Sequence, residues 1–135
     1  MSEKTINKVP NVPTLRFKNY VYSWELKRLN NIAKIVSGGT PETEKNEYWN
    51  GDILWFTPSE VGHTKFVDNS ERKITQLGLE KSNAKLLPIG TILLSTRATV
   101  GEVSISTKEC TTNQGFQSVI VNKTNNLNFI YYLLQ

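Results

Sequence analysis

From Ser37 to Pro58 the chain reads SGGTPETEKNEYWNGDILWFTP, and no other stretch restricts the fold as much. Gly38-Gly39 tolerates positive φ and Pro41 holds φ near about −65°, so the backbone bends there. A short polar run follows, then Tyr48-Trp49 and the turn dipeptide Asn50-Gly51. Ile53-Leu54-Trp55-Phe56 is apolar on both strand faces, which predicts a central, buried strand. Thr57-Pro58 ends it, because proline has no N–H to give a ladder. A second block lies downstream, TILLSTRATVG over Thr91 to Gly101, followed by Thr112-Asn113-Gln114-Gly115-Phe116.

Around these blocks the signals are mostly β. Residues 1–23 contain Pro10 and Pro13 and little periodicity, and read as an extended lead-in. Trp24 to Ile32 has helical spacing with Leu26 and Leu29 inward, although Ile32 to Ser37 fits a first strand equally well. Thr57 to Asp68 reads as a loop around Gly62, and Ser70 to Ile74 as a short strand. Thr75 is placed to cap a helical turn. Leu86 to Gly90 reads as a turn into a strand at Thr91 to Ser95. Val100 to Ile105 alternates as a half-exposed strand does, and Gln117 to Val121 is another strand. Leu127 to Gln135 is apolar and helical, with Asn126 as N-cap.

Composition narrows the function classes. The chain has 135 residues, enough to bury a core as one domain. It has no run of eighteen apolar residues and a polar start, so neither a membrane span nor a secretory signal is read, and the expected compartment is the cytoplasm. One cysteine and one histidine, Cys110 and His63, leave no internal disulfide and no Cys/His zinc set. Cys110 reads as a small buried hydrophobe rather than a nucleophile. A dinucleotide glycine loop, a Walker loop and an Asn/Asp-Pro-Pro-aromatic base-holding motif are all missing, so no catalytic residue is assigned. Net charge is +4, which permits a polyanionic partner. The basic residues Lys65, Arg72, Lys73, Lys81, Lys85 and Arg97 stand against three acids over residues 61–100.

The two blocks together resemble the target recognition domain of the specificity subunit of type I restriction-modification enzymes. The carriers are Gly38-Gly39-Thr40-Pro41, Tyr48-Trp49-x-Gly51-Asp52-Ile53-x-Trp55-x-Thr57-Pro58, Ile74-Thr75 with Gly78-Leu79, Ser95-x-Arg97-Ala98-Thr99-Val100-Gly101, and Asn113-Gln114-Gly115-Phe116. The start, from Val12 to Glu25, is similar to the opening of such a subunit and suggests its first, N-terminal recognition domain. The resemblance implies an α/β, strand-rich (α+β) domain: a twisted, mixed or barrel-like sheet with short helices and long DNA-facing loops. It divides the chain into a lead-in (1–23), a recognition domain (24–125) and the start of a long helical spacer (126–135), cut off by the chain end. On that reading the chain is about a third of a subunit, a fragment or a truncated product.

The function implied is recognition of one half of a bipartite site in double-stranded DNA. The catalysts would be partners: modification subunits using S-adenosylmethionine, and restriction subunits using ATP and Mg2+. No cofactor or metal is expected in this chain. Base reading needs donors and acceptors at loop tips. Relatives read different sequences, so residues outside the shared pattern are the base-reading candidates: Ser59, Glu60, His63, Thr64 and Lys65. Glu60 would accept from cytosine N4, and His63 or Lys65 would meet guanine or phosphate. Arg72, Ser95, Arg97, Thr99, Asn113, Gln114 and Gln117 are candidates for phosphate contact or loop shaping. Thr40, Pro41, Tyr48 and Trp49 read as turn and core residues. The alternatives are a domain attached to a methyltransferase or nuclease without DNA specificity of its own, and a protein-interaction module.

Overall fold

The computed structural model describes residues 12–135, so residues 1–11 of the expected lead-in lie outside the described part. Helix α1 (Leu29–Ile32) leads into strand β1 (Ala33–Ser37). After a 3-10 turn at Asn46–Tyr48 come β2 (Trp49–Phe56), a second 3-10 turn at Pro58–Glu60, β3 (Phe66–Val67), β4 (Arg72–Ile74) and α2 (Gln76–Glu80). The chain closes with β5 (Ile92–Ser95), β6 (Val103–Ser106), β7 (Cys110–Thr112), β8 (Phe116–Val121) and α3 (Leu127–Leu134). Among the described residues no helix is long and apolar enough to cross a membrane.

The strands form two mixed sheets rather than one. The larger has the order β1-β8-β5-β6-β3 and the smaller β4-β2-β7. Pairing is antiparallel except for β3 with β6 and β2 with β7. Alternation along the strands of the larger sheet sends side chains into two cores, and a third, of Trp49, Trp55, Ile74 and Ala84, lies on the smaller sheet. Ala33, Ile92, Val103, Ile105 and Val119 pack under α3 against Ile130 and Tyr131. Leu93 and Phe116, from the opposite face, meet Leu54, Phe56, Val61, Leu87 and Cys110 of the smaller sheet and its connections. The central strands are therefore buried on both faces, between a helix and a sheet. Phe56 and Phe116 are wholly buried, and each contributes about 1.5–3 kcal/mol by transfer from water.

Several expectations hold. Ile53 to Phe56 lies in the central strand of its sheet. The Thr75 hydroxyl accepts from Gly78 N–H (3.1 Å) and the Asn126 side chain from Phe129 N–H (2.9 Å), capping α2 and α3 as read.

Three expectations need correcting. The helix expected over Trp24 to Ile32 is only its last turn, and Leu26 is fully exposed. Trp24 instead stacks on Phe129 of α3, centroids 5.8 Å apart and planes 9° apart, so this stretch is held to α3 by an exposed aromatic pair without coiling. Asn50-Gly51 makes a bulge inside β2, not a turn before it. Trp49 and Ile53 both stand opposite Ile74, and Asn50 takes φ 61°. That kink sets the Trp49 ring edge-on to Trp55 at 5.0 Å. Finally β6 begins at Val103 and is buried throughout, whereas Val100 is exposed. Ser104, on the face expected to meet solvent, and Ser106 are satisfied internally. The Ser104 hydroxyl donates to the Thr64 carbonyl (2.6 Å) and accepts from Gly62 N–H (3.0 Å). The Ser106 hydroxyl donates to the Lys108 carbonyl.

Candidate nucleic-acid interface

The ends of four strands meet at one end of the molecule. Phe56 of β2 pairs with Thr112 of parallel β7, and Ser95 of β5 with Phe116 of β8. The loops that follow are tied together by hydrogen bonds. Asn113 N–H donates to Phe56 C=O (3.0 Å), Thr96 N–H to Gly115 C=O (2.8 Å), and the Thr99 hydroxyl to Pro58 C=O (3.5 Å). Gly115 is needed for this closeness, since a Cβ there would stand 2.9 Å from Pro58 Cγ. The three segments singled out in the sequence, after Thr57, around Arg97 and around Asn113, thus form one loop cluster.

The first loop is internally braced. Thr57 and Glu60 make a capping box. One Glu60 carboxylate oxygen accepts from Thr57 N–H (2.7 Å) and the Thr57 hydroxyl (2.9 Å), and the other from Glu71 N–H (2.7 Å). Both oxygens are turned to donors of the chain itself, within the loop and at Glu71, so the geometry gives Glu60 a loop-shaping role. Ser59 and His63 are exposed, and His63 Nε2 lies 3.0 Å from the Ser59 carbonyl. Pro58, Ser59, Val61, His63, Thr99 and Glu102 line a cleft of about 260 Å3. Thr64 is exposed beside it, its hydroxyl donating to Phe66 C=O (2.8 Å).

The second loop is a tight turn. Ser95 is buried, and its hydroxyl donates to the Thr99 carbonyl and accepts from Glu102 N–H (3.1 Å). Ala98 (φ 61°) and Gly101 (φ 89°) take left-handed conformations, leaving Arg97 exposed at the tip. In the third loop Asn113 Oδ1 accepts from Gly115 N–H (2.8 Å), an Asx turn. Gln114 is exposed, and Gln117 is exposed at the start of β8.

Two expected members lie elsewhere. Lys65 turns away from the cluster onto α3. Its ammonium donates to the Tyr132 hydroxyl (3.2 Å) and sits 4.6 Å from that ring's centroid and 5.4 Å from that of Tyr131. Arg72 lies flat on Trp49, 3.6 Å from the ring centroid, on the outer side of the smaller sheet. Two further residues join the cluster that sequence reading had not placed there. The Thr40 hydroxyl donates to Gln114 Oε1 (2.5 Å), and Glu102 approaches Gly62 across the cleft. Thr40 sits in the Gly-Gly-Thr-Pro signature, which was the available signal. Nothing in the local sequence announces Glu102.

The sequence family described as type I restriction modification DNA specificity domain matches residues 22–135. The chain belongs to this family. The specificity domain is 36% identical over 114 residues to the type I restriction enzyme MjaIX specificity subunit of Methanocaldococcus jannaschii, covering 83% of this chain and 26% of that protein. The chain thus spans about a quarter of that relative's length. Its fold is similar to the HsdS subunit of Thermoanaerobacter tengcongensis, with a TM-score of 0.61 at 19% identity, covering 80% of this chain and 26% of that one. A second solved chain, from the complex assembly and conformational transition of the type I R-M system, gives a TM-score of 0.64 at 17% identity, covering 79% of this chain and 26% of its own.

Proposed function

We propose that this specificity domain reads one half of a bipartite, asymmetric site in double-stranded DNA through its three-loop end. In the assembled enzyme it would present that site to modification subunits that methylate adenine with S-adenosylmethionine, and to restriction subunits that use ATP and Mg2+. The chain itself is a non-catalytic reader. The observation that carries the reading is the convergence of Ser59, His63, Arg97, Thr99 and Gln114 on one loop cluster held by Thr99–Pro58 and Thr96–Gly115 bonds. Such a surface joins exposed donors and acceptors for base edges to a cation for phosphate. Arg97 supplies sequence-independent attraction; Ser59, His63 and Thr64 are the base readers, each good contact worth about 1–3 kcal/mol of discrimination.

The test uses the full subunit assembled with its modification partners. Arg97→Ala should weaken binding at every site and lower the slope of log affinity against log salt by about one. His63→Ala should change which half-site is methylated, read by mapping methylated adenines. An unchanged salt slope together with an unchanged methylation pattern would remove this end of the molecule from DNA recognition.

A further inference from the structure

Strand β1 ends the five-stranded sheet, and among the described residues no backbone bond reaches the outer side of Ile35 or Ser37. The ladder shows which groups face that side. Asn122 N–H donates to Ile32 C=O (2.9 Å), so Lys34 and Val36, in step with Ile32, direct their N–H and C=O toward β8. Ile35 and Ser37 direct theirs outward. Ala33 obeys the same alternation, its N–H turning away to bond Leu29 C=O in α1.

Alongside this edge runs the segment 85–87, fixed by two bonds between Leu87 and Cys110 (2.7 and 3.2 Å). Between the two lies a groove of about 400 Å3. Its walls carry Val36, Leu87 and Ile120, the more exposed Ile35 and Leu86, and two cations, Lys34 and Lys85. No acidic residue lines it. The single ion pair among the described residues is Lys27 with Glu25, so neither groove lysine is neutralised there.

We propose that this groove docks an extended, acidic segment of another polypeptide by strand addition to β1. Outward N–H and C=O groups of Ile35 and Ser37 would complete a ladder with the incoming strand. Its carboxylates would pair with Lys34 and Lys85, and its alternate apolar side chains would cover Ile35 and Leu86. A second copy of this chain is a poor occupant, because β1 against β1 gathers four lysines in one seam; lysine on an edge strand guards against such self-pairing. A nucleic-acid backbone would use the lysines but leave the apolar wall and the edge donors unmatched.

The probe is a synthetic seven-residue peptide alternating Glu and Val, with a Lys/Val peptide as its counterpart, titrated into the chain and followed by amide NMR. The Glu peptide should slow hydrogen exchange at Ile35 and Ser37 at least tenfold, and the Lys peptide should not. Ile35→Pro should abolish binding, because it removes an outward donor and leaves the β1–β8 ladder its bonds; Ile35→Val should keep it. The pair Lys34→Glu with Lys85→Glu should raise Kd at least tenfold, and it carries the test should Ile35→Pro unfold. The proposal falls if the Glu peptide leaves Ile35 and Ser37 unprotected, or if binding survives both variants. It falls equally if sedimentation shows self-association lost in Ile35→Pro, or if the charge reversals lower only DNA affinity.

Discussion

Glu60→Ala separates shaping a loop from reading a base. Glu60 accepts three hydrogen bonds, two from backbone N–H groups and one from a hydroxyl. A bond to a charged acceptor contributes about 1.5–3 kcal/mol when protected from water. The loop is only half-buried around Thr57 and exposed at Glu71, so water recovers the freed donors and the loss is nearer about 2 kcal/mol in total. For a domain of this size that lowers Tm by about 6–8 °C. Glu60→Gln keeps one acceptor oxygen and should lose about half as much. Urea unfolding, with the midpoint shifted and the m-value unchanged, measures both. Mapping of methylated sites by the assembled enzyme should show the same target sequence for Glu60→Gln, with lower occupancy. A stable variant that methylates a different sequence would refute the shaping role and restore Glu60 as a base reader.

Trp55→Phe should cost about 1–2 kcal/mol, because the Trp55 indole N–H donates to Gly39 C=O at 3.0 Å in a buried site; denaturant unfolding that shows no loss would contradict it. Cys110 is wholly buried, and burial pushes its thiol up to about 11 from 9.0. It should resist thiol reagents at pH 8 until the chain unfolds. Since the unfolded thiol ionises first, the neutral-thiol contribution is complete below about pH 9 and is lost as pH rises to about 11, a fall that Cys110→Ala should flatten. Lys65→Met keeps the stem but removes the ammonium over Tyr132, which should weaken the hold on α3 by about 1 kcal/mol and speed its amide exchange about fivefold. Unchanged exchange in α3 would mean that Lys65 does not hold it.

Local rules carried much of the fold. The apolar run at Ile53 to Phe56 and the caps at Thr75 and Asn126 depend on neighbours within four residues, so they are readable; Gly38 and Gly39 do not take the positive φ expected of a bend but let the chain pass close to Thr112 and Asn83. Thr57-x-x-Glu60 has capping-box spacing, a local signal that the reading of Glu60 as a base contact passed over. What escaped depends on partners far along the chain. Ser104 is buried because Gly62 and Thr64 satisfy it, about forty residues away, so polarity misreported exposure. Lys65 and Arg72 have long side chains that settle on whichever aromatic face the fold brings near, here Tyr132 and Trp49. The three reading segments were named from the sequence. Their meeting was not, because it rests on the parallel pairing of β2 with β7 across some fifty residues.

The ladder between Ala33 and Val121 has a consequence for biosynthesis. β8 is made about eighty residues after β1, so no order of local folding completes the large sheet until β8 has left the ribosome. At about 5–20 residues per second, β1 waits roughly 4–18 s with both edges open. Non-local closure of this kind is slow to nucleate. A nascent strand that carries Lys34 and stops at Gly38-Gly39 is a poor template for aggregation during that interval. The same chemistry that keeps this edge from sticking before the sheet closes leaves it available once the sheet is complete.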